Sequence, residues 1–359
     1  MSETEEKLIA YLEKKNLDAY FIQKKVNVRY ISGYTGEDSF LLITKDHKKY
    51  FITDYRYTEQ AAIECPDYEL IVWRTPGRTL GDSLFDLSEK NHLSTIGFEG
   101  DELSFENYTD VSSKTPEVEW VDHSGVIEKM REIKTPEEIS YLRAACDIAC
   151  RAYERLLEDI HVGVTEKELA AKLAAYMVFE GADTQPYGNI LISGARTSLL
   201  HGIPSEKAIE YGDFVLMDFG CQFNGYLSDM TRTVVVGKAS EKQKEVYELE
   251  KQSLEDSLAM MKAGRPVRDI YRASIQSIKD TEYLKYNYNN IGHGIGLFVH
   301  ELPYTGEQYD DILEAGNVRT IEPGIYVPNW GGVRIEDQIL ITEDGYENMI
   351  STSHELLEL

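Results

Sequence analysis

Five residues in the C-terminal part of the chain combine reactive side chains with placements that folding alone does not ask for: Asp218, Asp229, His293, Glu322 and Glu336. Asp218 interrupts the apolar run Val215-Leu216-Met217 before Phe219, Glu322 follows Thr320-Ile321, and Glu336 follows Val333-Arg334-Ile335. A carboxylate inside an apolar strand is costly unless a cation or hydrogen-bond donors meet it. His293 stands in Gly292-His293-Gly294-Ile295-Gly296, where bare glycines permit close backbone approach to a ligand. Four carboxylates and one imidazole form an oxygen-rich donor set. Such a set suits a pair of Mn²⁺ or Co²⁺ ions, with Zn²⁺ as an alternative; a structural zinc would favour cysteine and histidine. Two ions that share a water and polarise a carbonyl are equipped for hydrolysis. The plainer alternatives are exposure of Asp218 and Asp229 or their pairing with Arg232, and a packing role for His293.

These residues need strands to hold them. Asn224-Gly225 between two apolar runs predicts a hairpin of residues 214–222 and 226–236. A two-residue turn there makes Asp218 face Thr231 and Asp229 face Gly220, so both acids share a face as diagonal neighbours. Cys221, out of phase, points away from them. A second hairpin with a five-residue loop at 328–332 brings Glu322 and Glu336 to one face by parity.

Thr135 before Pro136-Glu137-Glu138 predicts the start of a long helix to about residue 160, and Thr165 with Glu168 a capping box for another. Further helices are expected at 241–262 and 267–283 and a last β section at 319–350. Residues 1–123 alternate helical and strand patterns and form an α/β domain without a cluster of potential metal ligands. His47, His92 and His123 are scattered there. Residues 124–359 form the second, α+β domain.

The formal net charge is −26, which argues against nucleic acid or an anionic membrane surface as partner. No run of 18 apolar residues occurs and the first residues make an acidic helix, so a cytoplasmic protein is expected. Four cysteines (Cys65, Cys146, Cys150 and Cys221) are too few for a disulfide framework.

The motifs SGARTSLLHGIPS (193–205), DFGCQFNGYLSD (218–229), GHGIGLFVHE (292–301), TIEPGIY (320–326) and GGVRIED (331–337) stand in order along the second domain. This domain resembles the pita-bread metallopeptidases, the family of aminopeptidase P and prolidase. NVRYISGYTG (27–36) and ITDYRYTEQA (52–61) make the first domain similar to the creatinase-type N-terminal domain. The resemblance implies a homodimeric Xaa-Pro aminopeptidase acting on peptides with proline at position 2, or alternatively a prolidase. It implies that Asp218 holds one metal, Asp229 and Glu336 bridge both, and His293 and Glu322 hold the second. Glu322 is then the general base, and His201 and His300 stabilise the carbonyl oxygen and tetrahedral intermediate. Tyr326 and Arg334 line or brace the site; a partnership of Arg334 with Glu336 or Asp337 is the alternative. Asn289, Leu200 and Phe298 depart from the family pattern at positions expected to shape the pocket.

Overall fold

The structure of the chain is a computed structural model that describes residues 3–184 and 188–359. It divides into two compact units, Met1–Arg131 and Glu132–Leu359. The division falls after helix Val126–Arg131 rather than near Ser124, because that helix buries Ile127 in the core of the first unit.

In the first unit, six strands form one sheet in the order Glu69–Val72, Lys49–Thr53, Phe40–Thr44, Ala19–Ile22, Thr95–Phe98, Glu119–Asp122. Strand alternation sends Tyr20, Ile22, Leu41, Ile43 and Phe51 to one face, against Leu8, Leu12, Val28 and Ile31. Ala19, Phe21, Leu42, Tyr50 and Ile52 go to the other, against Leu80, Leu84, Leu87 and Val111. One helix, Lys25–Ser32, lies within a stretch whose pattern suggests no element.

In the second unit, small sheets lie between two layers of helices. Val215, Met217 and Phe219 pack towards helices Pro136–Leu156 and Glu166–Phe179. Ile321, Ile325, Val333, Ile335 and Ile339 pack towards Glu241–Leu258 and Val267–Ser274. Thr135 and Thr165 both close capping boxes, with Glu138 and Glu168. The helix beginning at Val267 ends at Ser274, well short of 283, and a separate 3₁₀ turn covers Glu282–Tyr286.

The expected central hairpin keeps its register along its whole length: Asp218 faces Thr231 and Phe223 faces Tyr226. Asn224 and Gly225 turn it with φ of 48° and 85°. The ladder is interrupted in the middle, where the Cys221 N–H donates to Ser228 Oγ (3.0 Å) and the Asp229 N–H to Gln338 Oε1 (3.0 Å). The second hairpin turns on three residues, not five, with Gly324 facing Arg334 and Val327 facing Gly331. Asn329 adopts a left-handed φ of 61°, which closes the tighter turn. Parity survives the change. The same register resumes where Ile321 faces Asp337, so Glu322 and Glu336 sit in a matched interruption of the second hairpin.

One group in the first unit gives the fold a pH dependence. Glu99 is fully buried, and burial pushes its carboxyl up to about 7 although Asn27 and the N–H groups of Gln23 and Lys24 donate to it. A carboxyl whose folded pKa exceeds its unfolded value contributes most below the unfolded value, and this is lost as pH rises through the folded one. The urea midpoint reported by Trp73 and Trp120 fluorescence should therefore fall between pH 4.5 and 7, reflecting a loss of about 3 kcal/mol of stability.

Candidate metal centre

The two interrupted hairpins meet through a bridge between Thr231 and Glu336. Each break thus presents carboxylates, Asp229 at one and Glu322 with Glu336 at the other, while Asp218 sits in the ladder just before the first break, opposite Thr231. His293 comes from the adjoining loop, whose Gly294 bridges to Arg319 of strand Val318–Ile321. The glycines around it serve a different end from the one the sequence suggested. A Cβ on Gly292 would lie 2.2 Å from Thr320 O, and one on Gly294 would lie 2.1 Å from Leu302 O. Both make room for the protein's own backbone.

Atoms of Asp229, His293 and Glu336, all three buried, lie within 4.8 Å of one another. His293 Nε2 is 3.4 Å from Glu322 Oε1 and 3.8 Å from Asp229 Oδ2. The other ring nitrogen, Nδ1, sits 2.9 Å from Gly294 O, which is satisfied by an Nδ1–H tautomer and leaves the Nε2 lone pair facing the acids. Burial above all, with His300 and Arg319 adding to it, pulls the His293 pKa down to about 3, so the imidazole is neutral. Thr231 Oγ1 donates to Glu336 Oε2 at 2.6 Å and Thr320 Oγ1 reaches Glu322 Oε1 at 3.5 Å.

The electrostatics of this cluster demand a cation. Burial raises the Glu322 carboxyl to about 7 against the pull of Arg334, with Asp218 adding to the rise, and lifts Glu336 well above the usual carboxylate range, helped by Asp229, Glu322 and Asp218. Acids packed this closely around a neutral imidazole disfavour one another's charge. Divalent cations answer both the charge and the hard oxygen donors, so the residues fit the metal pair that the motifs imply.

Arg334 partners neither Glu336 nor Asp337. Its guanidinium donates to Asp218, to Tyr326 Oη (2.8 Å), to Thr231 Oγ1 (3.1 Å) and to Leu200 O (3.4 Å). Arg232 pairs with neither Asp218 nor Asp229. Its Nη2 meets Asp337 Oδ1 at 2.7 Å, its Nη1 donates to Glu336 O at 2.7 Å, and His354 Nε2 lies 2.7 Å from Asp337 Oδ2. This clamp fixes the backbone that carries Glu336. Of its members only Arg232 and Asp337 stand out in the sequence, and the Ser353-His354 segment carries no signal there.

The acids and His293 line a cavity of about 780 Å³ that also exposes His201, His300, Tyr326 and Arg334. His300 stacks edge-on to His293 with ring centres 4.5 Å apart. Burial and the neighbouring His201 hold its pKa below the ordinary value. Every residue expected at the site is therefore gathered in one place. Of the three departures, only Leu200 lines the cavity. Asn289 accepts from Tyr271 Oη (3.1 Å) and Phe298 is half exposed beside the loop; the neighbouring Asn290, with Tyr288 and Tyr304, forms that wall instead. Cys221 turns away, as its phase requires, with Sγ 3.3 Å from Ala145 O.

Carboxylates gathered round a neutral imidazole, on strands enclosed by two helix layers and open to a cavity, are what a pita-bread metallohydrolase requires. Residues 140–343 match metallopeptidase family M24 and residues 6–133 match the creatinase/prolidase N-terminal domain; the chain belongs to family M24 and is a metal-dependent peptidase. An Xaa-Pro dipeptidase of Pyrococcus furiosus is 35% identical over 99% of this chain and 100% of its own. Among solved structures, an Xaa-Pro dipeptidase from Bacillus anthracis superposes with a TM-score of 0.95 at 36% identity, covering 99% of both chains. An X-Pro aminopeptidase from Thermotoga maritima superposes with a TM-score of 0.92 at 31% identity, again over 99% of both.

Thr231 tests the electrostatic account. Thr231→Val removes the donor that orients Glu336 while keeping the side-chain volume. Metal affinity, read by competition with a chromophoric chelator, should drop by roughly 10- to 100-fold with the circular dichroism spectrum unchanged. An unaltered affinity would mean that the hydroxyl does not orient the carboxylate.

Proposed function

We infer that this chain hydrolyses the peptide bond before proline, with Xaa-Pro dipeptides as its substrates. The observation that carries hydrolysis is the convergence of Asp218, Asp229, His293, Glu322 and Glu336 on one cavity. The dipeptide preference is supported by two full-length relatives described as Xaa-Pro dipeptidases. The motifs put the aminopeptidase first, and these relatives reverse that order.

In this reading Asp218 would hold one metal, Asp229 and Glu336 would be shared by both, and His293 and Glu322 would hold the other. Mn²⁺ or Co²⁺ suits the mostly hard oxygen donors. Bound there, two divalent ions would supply Lewis acidity towards the scissile carbonyl and lower the pKa of a water. Glu322 takes the proton of the attacking water and returns it to the leaving proline nitrogen. His300 and His201, facing the cavity, donate to the carbonyl oxygen as its charge develops. Tyr326 and Arg334 hold Asp218 in line.

A second reading, cleavage of longer Xaa-Pro peptides, is favoured by the charge of the cavity wall. Among the described residues lining it, Arg334 is the one permanent cation, and it is already engaged by Asp218. A dipeptide brings a carboxylate just past the scissile bond, whereas a longer chain brings a neutral carbonyl. The Thermotoga maritima relative described as an X-Pro aminopeptidase is consistent with this.

Exhaustive chelation should abolish hydrolysis of an Xaa-Pro peptide, and Mn²⁺ or Co²⁺ should restore it; full activity in protein shown metal-free by elemental analysis would exclude this mechanism. For substrate length, kcat/KM should be higher for an Xaa-Pro dipeptide than for the same sequence extended by one or more residues. The opposite order would assign the chain to the aminopeptidases.

A further inference from the structure

Glu301 follows His300 directly and takes no part in the acid–imidazole cluster, yet its side chain is 4% exposed. Its Oε2 lies 3.0 Å from Nζ of Lys134, whose side chain is 1% exposed. Its Oε1 accepts the Phe298 N–H at 3.0 Å, across the loop that leads to His300. The backbone of Glu301 exchanges hydrogen bonds with Gly294 in both directions, at 2.8 and 2.9 Å. Gly296 lies over the carboxylate, where a Cβ would come within 2.8 Å of Oε2. Loop 294–301 is thus closed at its neck by backbone bonds and spanned from inside by one carboxylate.

The other end of the pair is equally fixed. Lys134 immediately precedes Thr135, the cap of helix Pro136–Leu156, and its own N–H donates to Gly316 O at 2.9 Å. Gly316 leads into strand Val318–Ile321, which ends beside Glu322. One lysine therefore ties the start of a long helix to the His300 loop and to the approach of the Glu322 strand. A buried ion pair seldom raises stability over an apolar pair of similar size, so its presence here asks for another reason.

We propose that Lys134 and Glu301 are positioning residues for His300, setting where its imidazole sits over the cavity. This rests on the reading of His300 as the donor to the developing oxyanion. Such a donor works only within about 2.7–3.1 Å of that oxygen, and a misplacement of about 1 Å costs on the order of 10²-fold in rate. Lys134→Met, which keeps the length and removes the charge, lets Glu301 pull away from Phe298 and carry the loop with it.

The test is a double-mutant cycle on an Xaa-Pro substrate with the metal-loaded protein. Lys134→Met should lower kcat by roughly 10- to 100-fold, with KM and metal content by elemental analysis unchanged within about twofold. Lys134→Arg should recover part of the loss. In a His300→Ala background, Lys134→Met should cost almost nothing further, because its effect passes through the imidazole. Additive losses, or a rise in KM alone, would overturn the proposal. If Lys134→Met does not fold, Glu301→Gln, nearly isosteric and still able to accept from Phe298, takes its place in the cycle: a loss of kcat that vanishes in the His300→Ala background supports the proposal, and an additive loss overturns it. Should His300→Ala itself leave kcat intact, the assigned role of His300 is what fails, and the positioning proposal fails with it.

Discussion

Mutual repulsion among the clustered acids is the constraint on which the second unit turns. Glu336, Asp229, Glu322 and Asp218 are brought close enough to raise the cost of ionising one another; His293, held neutral, lies among them, and Arg334 meets Asp218. A packed interior gives such groups no room to relax apart. The surroundings hold these carboxylates largely without opposing charge: hydroxyls of Thr231 and Thr320 touch two of them, and the Arg334 guanidinium takes a third.

The architecture follows from that requirement. A regular antiparallel ladder would direct every other side chain into a helix-packed core, where an acid has no partner. Both hairpins instead keep register across a break, at Asp229 in one and at Glu322 and Glu336 in the other, so the chain re-enters the ladder on the far side with its apolar residues still facing the helices. The breaks are stitched by side chains, Ser228 and Gln338 for one and Arg232 with Asp337 for the other. Stability is maintained around the site by groups that never face the cavity.

Function then depends on how the cavity is walled. The acids give the cavity a charged part, while Tyr288, Asn290 and Tyr304 add polar, neutral lining. The acid cluster and the rest of the lining are separate features, so one fold can host the same chemistry with different peptide preferences. His300 packs edge-on to His293, on a loop anchored from behind by Lys134 and Glu301.

Much of this was legible in the order of residues alone. Asn224-Gly225 set the first hairpin's register because few dipeptides tolerate two successive left-handed conformations, and parity then placed Asp218 opposite Thr231. Parity also carried Glu322 and Glu336 to one face even though the turn proved two residues tighter, since a shift by two preserves the face. Capping boxes at Thr135 and Thr165 announced their helices locally. Contacts between residues far apart in sequence left no local mark. That Arg334 holds Asp218 while Arg232 holds Asp337, that Asn289 turns towards Tyr271 and leaves the wall to Asn290, and that Lys134 reaches Glu301 were decided by tertiary packing. Periodicity tells which face a side chain takes, but which partner waits there depends on how separate elements are brought together.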